Sequence, residues 1–96
     1  MSAVHCSAKW VVVRGRVTGV GFRYATLCQA LRHPGLAGTV RNADHRTVEC
    51  LLQGPPEAVE AMVAWLRHGP PGAVVSEHTA EDIPEHPDLA GFLITG

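Results

Sequence analysis

Nine residues near the start of the chain, Gly15 to Arg23, constrain its fold more than any other stretch. They read Gly-Arg-Val-Thr-Gly-Val-Gly-Phe-Arg and lie between a valine-rich strand candidate and a helix candidate. Glycines let the backbone turn sharply, and the unpaired N–H groups at a helix start face whatever lies in the loop. Arg23 falls in the first helical turn, where the helix dipole disfavours a cation. We therefore predict a strand-to-helix turn whose amides and Arg23 share an anion.

Hydrophobic periodicity gives the whole chain the order βαββαβ followed by a short terminal strand. Strands are predicted over residues 9–17, 36–42, 47–53, 73–81 and 91–95, with a polar turn at 43–46. One helix runs from Phe22 to about His33, and a second begins at Gly54-Pro55-Pro56 and stops at His68-Gly69-Pro70. This order predicts an α+β fold, a ferredoxin-like βαββαβ two-layer sandwich in which an antiparallel sheet of four to five strands carries two helices on one face.

Each predicted helix has an apolar stripe. The stripe of the first helix comprises Tyr24, Leu27, Cys28 and Leu31, and that of the second comprises Val59, Met62, Val63 and Leu66. Because residues at i, i+3, i+4 and i+7 share one face of a helix, we expect both stripes to pack on the sheet.

The length of 96 residues predicts one domain, residues 9–96, after an N-terminal tail of residues 1–8. No apolar run approaches the roughly 20 residues that cross a bilayer, and the tail lacks the basic and apolar segments of a secretory signal. Three widely spaced cysteines are typical of reduced thiols. We expect a soluble, cytoplasmic monomer without a membrane partner.

The formal net charge of −1 conceals an uneven distribution. Seven of the eight Lys and Arg residues lie before position 49, and Asp44 is the one acidic residue in that segment. The first half of the sequence therefore carries a charge of about +6 and the second half about −7. Such a split can focus a positive potential on a small anion, although a fold that interleaves the halves would weaken it. An ordinary solvated surface remains the alternative.

Several groups of residues together resemble the acylphosphatase family. They are the loop that ends in Gly19-Val20-Gly21-Phe22-Arg23, the run Gly38-Thr39-Val40-Arg41-Asn42, the pair Val48-Glu49 and the run Gln53-Gly54-Pro55. The likeness covers about residues 9–66, and Gly91-Phe92 with Ile94 resembles the family's closing strand. It implies a metal-free and cofactor-free hydrolase of small acyl phosphates, in which Arg23 binds the phosphate and Asn42 positions the attacking water.

The chemistry of an acyl phosphate suits these residues. A carboxylate whose acid has a pKa of about 4 leaves at neutral pH without being protonated, so no general acid is needed. Attack at phosphorus needs a clamp on the phosphoryl oxygens and a water held in line. The Arg23 fork can form the clamp, and the neutral amide of Asn42 can orient the water. The clamp also uses the backbone amides of Thr18, Gly19, Val20, Gly21 and Phe22.

Four departures from the family pattern bear on rate and stability. Thr18 replaces the usual glutamine but keeps a hydroxyl that can bond the backbone, and Thr39 replaces a tryptophan. Arg46 stands where the hairpin normally has glycine, so the turn must close with less freedom or shift register. His33-Pro34 adds one residue before the second strand, which bears on the placement of Asn42.

Two other functions remain open. One is a catalytically degenerate acyl-phosphate-binding module, similar to the acylphosphatase-like domains of carbamoyl-transfer maturation enzymes. The other is a ferredoxin-like binding domain. RNA-recognition modules of this topology use aromatic platforms on their central strands, where Trp10 is the one aromatic residue of this sequence, so we expect no nucleic-acid partner.

Nucleotide and metal motifs are missing from the sequence. No Gly-Lys-Ser/Thr ends the loop, which excludes a Walker-type nucleotide site. The six histidines lack the paired spacing of zinc ligands, so we expect no metal site.

Overall fold

Within residues 6–96, which the computed structural model describes, five strands and two helices follow the predicted order. The strands are β1 (Ser7–Arg16), β2 (Ala37–Asp44), β3 (Thr47–Gly54), β4 (Val74–Asp82) and β5 (Phe92–Ile94), and the helices are α1 (Phe22–Ala30) and α2 (Pro56–Leu66). The predicted tail, residues 1–8, lies mostly outside the described residues. Its last two residues, Ser7 and Ala8, belong to β1 and pair with β3.

The strands form one sheet in the order β4-β1-β3-β2-β5. Three neighbouring pairs are antiparallel, as predicted, whereas β5 runs parallel to β2. The connection between β4 and β5, residues 83–91, must cross four strand spacings of about 4.8 Å each. Nine residues reach at most about 30 Å, so the connection stays at one end of the sheet. This makes β5 antiparallel to β4 and hence parallel to β2.

The α2 stripe packs as predicted. Val59, Met62, Val63 and Leu66 are all buried, and α2 lies against β1 and β3. Their partners in the core come from alternate positions of the central strands, including Val11, Val13, Val48 and Leu52. The ferredoxin-like sandwich therefore rests on one continuous apolar layer between sheet and helices.

The packing face of α1 differs from the prediction. Its buried residues are Phe22, Thr26 and Ala30, whereas Tyr24 is 68% exposed and Leu31 is 70% exposed. Thr26 Oγ1 donates a hydrogen bond to the Phe22 carbonyl at 2.7 Å, which satisfies the hydroxyl inside the core. Of the predicted stripe, Leu27 packs against the core, whereas Tyr24, Cys28 and Leu31 are exposed. The prediction was wrong for these exposed residues, because a threonine whose hydroxyl is satisfied within its own helix and a small alanine can also pack on the sheet.

Candidate active site

The glycine loop, residues 17–21, carries the chain from the end of β1 into α1. Gly19 has φ +74° and Gly21 has φ +73° with ψ +24°, both in the left-handed region. An L residue with a side chain pays roughly 1–2 kcal/mol there, so the turn needs glycine. No side chain caps the start of α1 and its first turn holds no acid. The helix start therefore keeps its positive end available to a ligand.

Two anchors hold the glycine loop in place. On one side, the Phe22 ring is buried against the Trp65 ring, with centroids 5.9 Å apart. On the other side, Thr18 Oγ1 donates a hydrogen bond to the His45 carbonyl at 2.7 Å. The hydroxyl that replaces the family's glutamine thus bonds the backbone, as its chemistry allowed. The loop is fixed between α2 and the turn that joins β2 to β3.

A cavity of about 180 Å³ opens beside the glycine loop. It is lined by Val17, Thr18, Gly19, Gly21, Phe22, Arg23, Tyr24, Asn42 and Ile94. The cavity thus brings Asn42 from β2 together with Arg23 and most of the predicted phosphate-binding residues, whereas Val20 packs against the core and does not line it. Its size falls below the ~300–1,000 Å³ that is typical of sites for drug-sized ligands, which favours a small substrate.

Arg23 and Asn42 are linked through one oxygen near the end of the chain. The Arg23 guanidinium donates a hydrogen bond to the Gly96 oxygen, and the Asn42 backbone N–H donates to the same oxygen at 3.4 Å. This contact ties the first turn of α1 to β2 and to the residues that follow β5. Since a guanidinium has five N–H donors, Arg23 keeps others for a ligand.

The side-chain oxygen of Asn42 is buried, and among the described residues no group donates a hydrogen bond to it. Buried polar atoms are nearly always satisfied by protein or by ordered water. A register shift in the β2–β3 pairing follows directly after Asn42, with Ala43 as the extra residue. Such a bulge bends a strand and re-aims side chains. Despite the added residue near Pro34, Asn42 faces the cavity.

The turn after Asn42 closes without glycine. Asp44 Oδ1 accepts a hydrogen bond from the Arg46 backbone N–H at 2.8 Å, which lowers the pKa of the Asp44 carboxyl. Every positive φ within residues 6–96 belongs to a glycine, so Arg46 keeps an ordinary backbone. The register of the β2–β3 pairing shifts between Asn42 and Asp44, just before this turn. The Arg46 carbonyl also accepts a hydrogen bond from the Gly15 N–H at 3.0 Å.

The cavity is electrostatically suited to an anion. Arg23 is the one charged residue in its lining within the described part of the chain, and no carboxylate lines it. Elsewhere the two halves of the sequence interleave, because Lys9 pairs with Asp82 at 2.7 Å and Arg41 with Glu49 at 2.9 Å. The charge asymmetry of the sequence is thus partly cancelled on the sheet, and the positive potential of the cavity depends mainly on Arg23 and the helix start.

Three residues that line the cavity were not predicted to belong to the site: Val17, Tyr24 and Ile94. Val17 belongs to the core, whereas Tyr24 and Ile94 combine an apolar side chain with exposure of 68% and 39%. Tyr24 had been assigned to the packing stripe. Its position next to Arg23, in the first turn after an anion loop, was a signal that could have placed it at the site.

Residues 6–96 contain neither a metal-ligand cluster nor a membrane-spanning helix. No group of three or more His, Cys, Asp or Glu residues there could hold a metal ion together. Neither described helix has the length and apolar character required to traverse a bilayer.

The fold and cavity define an α+β sandwich with a cavity, suited to a small anion, at a strand-to-helix loop. The sequence profile of the acylphosphatase family matches residues 9–94. The chain therefore belongs to the acylphosphatase family, whose members are hydrolases of acyl phosphates.

Individual relatives agree with this assignment. The acylphosphatase of Paraburkholderia xenovorans is 51% identical over 73 residues, which are 76% of this chain and 74% of that protein. The structure of an acylphosphatase from Coxiella burnetii superimposes with a TM-score of 0.90 at 31% identity, covering 99% of this chain and all of that one. The Bacillus subtilis acylphosphatase gives 0.85 at 32% identity, covering 96% of this chain and all of the other.

Proposed function

We propose that this chain hydrolyses small acyl phosphates to a carboxylate and inorganic phosphate by a metal-independent reaction in which Arg23 and the glycine loop bind the phosphoryl group and Asn42 positions the water. The observation that carries the proposal is that Asn42 lines the same cavity as Arg23 while its buried Oδ1 has no hydrogen-bond partner among the described residues. A monomer in the cytoplasm, with no nucleic-acid or membrane partner, remains part of the proposal.

The phosphoryl clamp combines a fixed loop with one arginine. Backbone amides from Thr18 to Phe22 and the Arg23 guanidinium supply N–H donors to the non-bridging oxygens. The support for this role is the left-handed geometry of Gly19 and Gly21, the uncapped start of α1 and the lack of carboxylates in the described cavity lining. Donors fixed in advance stabilise the charge that shifts in the transition state without reorganising during the reaction.

The attacking water is assigned to Asn42. Its Oδ1 accepts a hydrogen bond from that water, which satisfies the otherwise unpartnered buried oxygen. The water oxygen forms a bond to phosphorus while the bond from phosphorus to the acyl oxygen breaks, and the carboxylate leaves with the electron pair. A water proton passes to a phosphoryl oxygen or to solvent. Because the leaving carboxylate needs no proton at neutral pH, the step uses no side-chain acid or base.

An acetyl phosphate assay tests the proposal. We expect phosphate release that a chelator such as EDTA leaves unchanged. Arg23→Ala should lower kcat/KM by ~10²–10³ or more, the usual effect of losing one well-placed charged donor. Asn42→Ala should lower kcat to a similar extent yet keep inhibition by inorganic phosphate, because the clamp remains.

Arg32→Ala is the matched control, since Arg32 is exposed just beyond α1 and does not line the cavity. It should retain full activity. Wild-type turnover in Arg23→Ala would overturn the clamp assignment, and wild-type turnover in Asn42→Ala would overturn the water assignment. Loss of activity after chelation that added metal restores would overturn metal independence.

A further inference from the structure

The cavity has an apolar side that phosphate binding does not use. Tyr24 and Ile94 both line it, and their side chains are 68% and 39% exposed. Exposed apolar groups that surround a cavity mark binding surface more often than isolated ones do. An anion clamp by itself gives no reason for a tyrosine and an isoleucine at its edge.

We infer that Tyr24 and Ile94 form the subsite for the acyl group, and that this chain prefers acyl phosphates with a bulky apolar acyl group over acetyl phosphate. The inference rests on the proposed function, because it takes the phosphoryl group to be held by Arg23 and the glycine loop. It adds the class of substrate that this site selects.

Tyr24 stands at the site because of the way α1 packs. With Phe22, Thr26 and Ala30 turned into the core, Tyr24 faces outward from the first helical turn, directly after Arg23 in sequence. A substrate whose phosphoryl group contacts Arg23 therefore has its acyl group within reach of the Tyr24 ring. Large rigid aromatic side chains contribute apolar contact area at low entropic cost.

Ile94 lines the cavity from the sheet, whereas Tyr24 lines it from α1. It pairs with Val40 on β2, two residues before Asn42, and belongs to the edge strand β5. The bond between Arg23 and Gly96 holds the start of α1 close to the residues that follow β5. The two apolar side chains thus come from α1 and β5, which the same contact holds together, and they border one cavity.

The expected size of the preference follows from burial. A tenfold gain in kcat/KM corresponds to about 1.4 kcal/mol. At about 25 cal/mol per Å² this requires roughly 55 Å² of apolar surface removed from water. One face of a six-carbon ring laid on the Tyr24 ring can remove that area, whereas the methyl group of acetyl phosphate cannot.

The test compares acetyl phosphate with cyclohexanecarbonyl phosphate, two aliphatic acyl phosphates whose parent acids have similar strength. We expect wild-type kcat/KM to be about tenfold higher for the cyclohexane substrate, and Tyr24→Ala to remove most of that ratio. Tyr24→Phe should retain the ratio, because the ring and not the hydroxyl makes the contact. Ile94→Thr, which keeps a β-branched residue in β5, should reduce the ratio in part.

Leu31→Ala is the matched control, because Leu31 is an equally exposed apolar residue at the far end of α1 and outside the cavity. It should leave the ratio unchanged. If the wild-type protein hydrolyses both substrates but Tyr24→Ala and Ile94→Thr leave the ratio as it is, the acyl subsite is wrong and the proposed function stands. If the wild-type protein hydrolyses neither substrate, the proposed function fails and this inference fails with it.

Discussion

Thr18 and His45 join two segments that must be aligned for the site to work. The Thr18 hydroxyl donates a hydrogen bond to the His45 carbonyl at 2.7 Å, and so connects the glycine loop to the turn that follows β2, the strand that carries Asn42. The glycine loop carries the proposed clamp and the strand before the turn carries Asn42, so this bond, with that from the Gly15 N–H to the Arg46 carbonyl, helps to hold the two segments in register.

Replacing Thr18 with valine keeps the shape of the side chain and removes the hydrogen bond. We expect a loss of roughly 0.5–1.5 kcal/mol in the free energy of unfolding, the usual net value of one such bond. We also expect kcat/KM for acetyl phosphate to fall several-fold, as the loop moves relative to Asn42. Urea denaturation and steady-state kinetics measure the two effects. Thr18→Ser should preserve both quantities, and an unaltered kcat/KM in Thr18→Val would show that the bond does not align the site.

Gly69 leaves room for the residue that starts α1. It has φ +70°, and a Cβ built there would lie 2.3 Å from Phe22 Cε2. Gly69→Ala should therefore combine backbone strain of ~1–2 kcal/mol with an overpacking cost of ~1–3 kcal/mol. Because Phe22 follows the glycine loop directly, we expect activity to fall along with the melting temperature.

Gly91→Ala provides the comparison for Gly69. Gly91 has φ +73°, but a Cβ there would meet no atom within 4 Å. Its alanine variant should show the strain alone and melt at a higher temperature than Gly69→Ala. Equal melting temperatures for the two variants would mean that the Phe22 ring moves aside without cost.

His78 should make stability depend on pH. Its Nε2 is buried without a partner among the described residues, and burial, followed by the nearby Arg67, lowers the pKa of the ring below its ordinary value of 6.5. The unfolded chain therefore binds a proton more readily than the folded one, so this contribution to stability is complete above about pH 6.5 and is lost as the pH falls below it. Melting temperatures between pH 7.5 and 5 should decline less steeply in His78→Gln. The exposed His68 serves as control, and an identical slope in His78→Gln and the wild type would refute the assignment.

The three cysteines should react with a thiol reagent at different rates. Cys6 and Cys28 are exposed, whereas Cys50 is buried in the core and its burial raises the pKa of the thiol. Since the thiolate is the reactive form, a thiol reagent should label two cysteines rapidly and the third only when the core opens. Counting labelled thiols by mass spectrometry with time checks this. Three equal rates in native buffer would contradict the core position of Cys50.

Local sequence patterns predicted the order of strands and helices correctly, but not the packing face of α1 or the direction of β5. Valine alternation and glycine placement predicted the element order, because each is a local requirement of a strand or a turn. Most of the α1 stripe was predicted wrongly, although Leu27 does pack against the core, since Thr26 satisfies its hydroxyl within its own helix and so packs like an apolar residue. The direction of β5 depends on a connection that spans the sheet, and no local pattern records it.

The sequence likewise predicted the polar residues of the candidate site but not its apolar ones. Arg23 and Asn42 stand out by residue type, and the structure brings them to one cavity. Tyr24 and Ile94 are apolar, and an apolar residue that recurs at helical or strand spacing reads as core until the packing is known. The bulge at Ala43 was not predicted, because closing a hairpin without glycine at Arg46 has more than one solution and the sequence left them open.

At Gly19 and Gly21 there is open space where a side chain would begin, since a Cβ at either position would meet no atom within 4 Å. What these positions reject is therefore the handedness of an L residue and not its bulk. Enlarging the cavity cannot relax that requirement, because it is a property of the backbone alone. The shape of the loop proposed to bind the phosphoryl group thus depends on two achiral residues, and we expect the selectivity of the site to come from the chiral side chains around it.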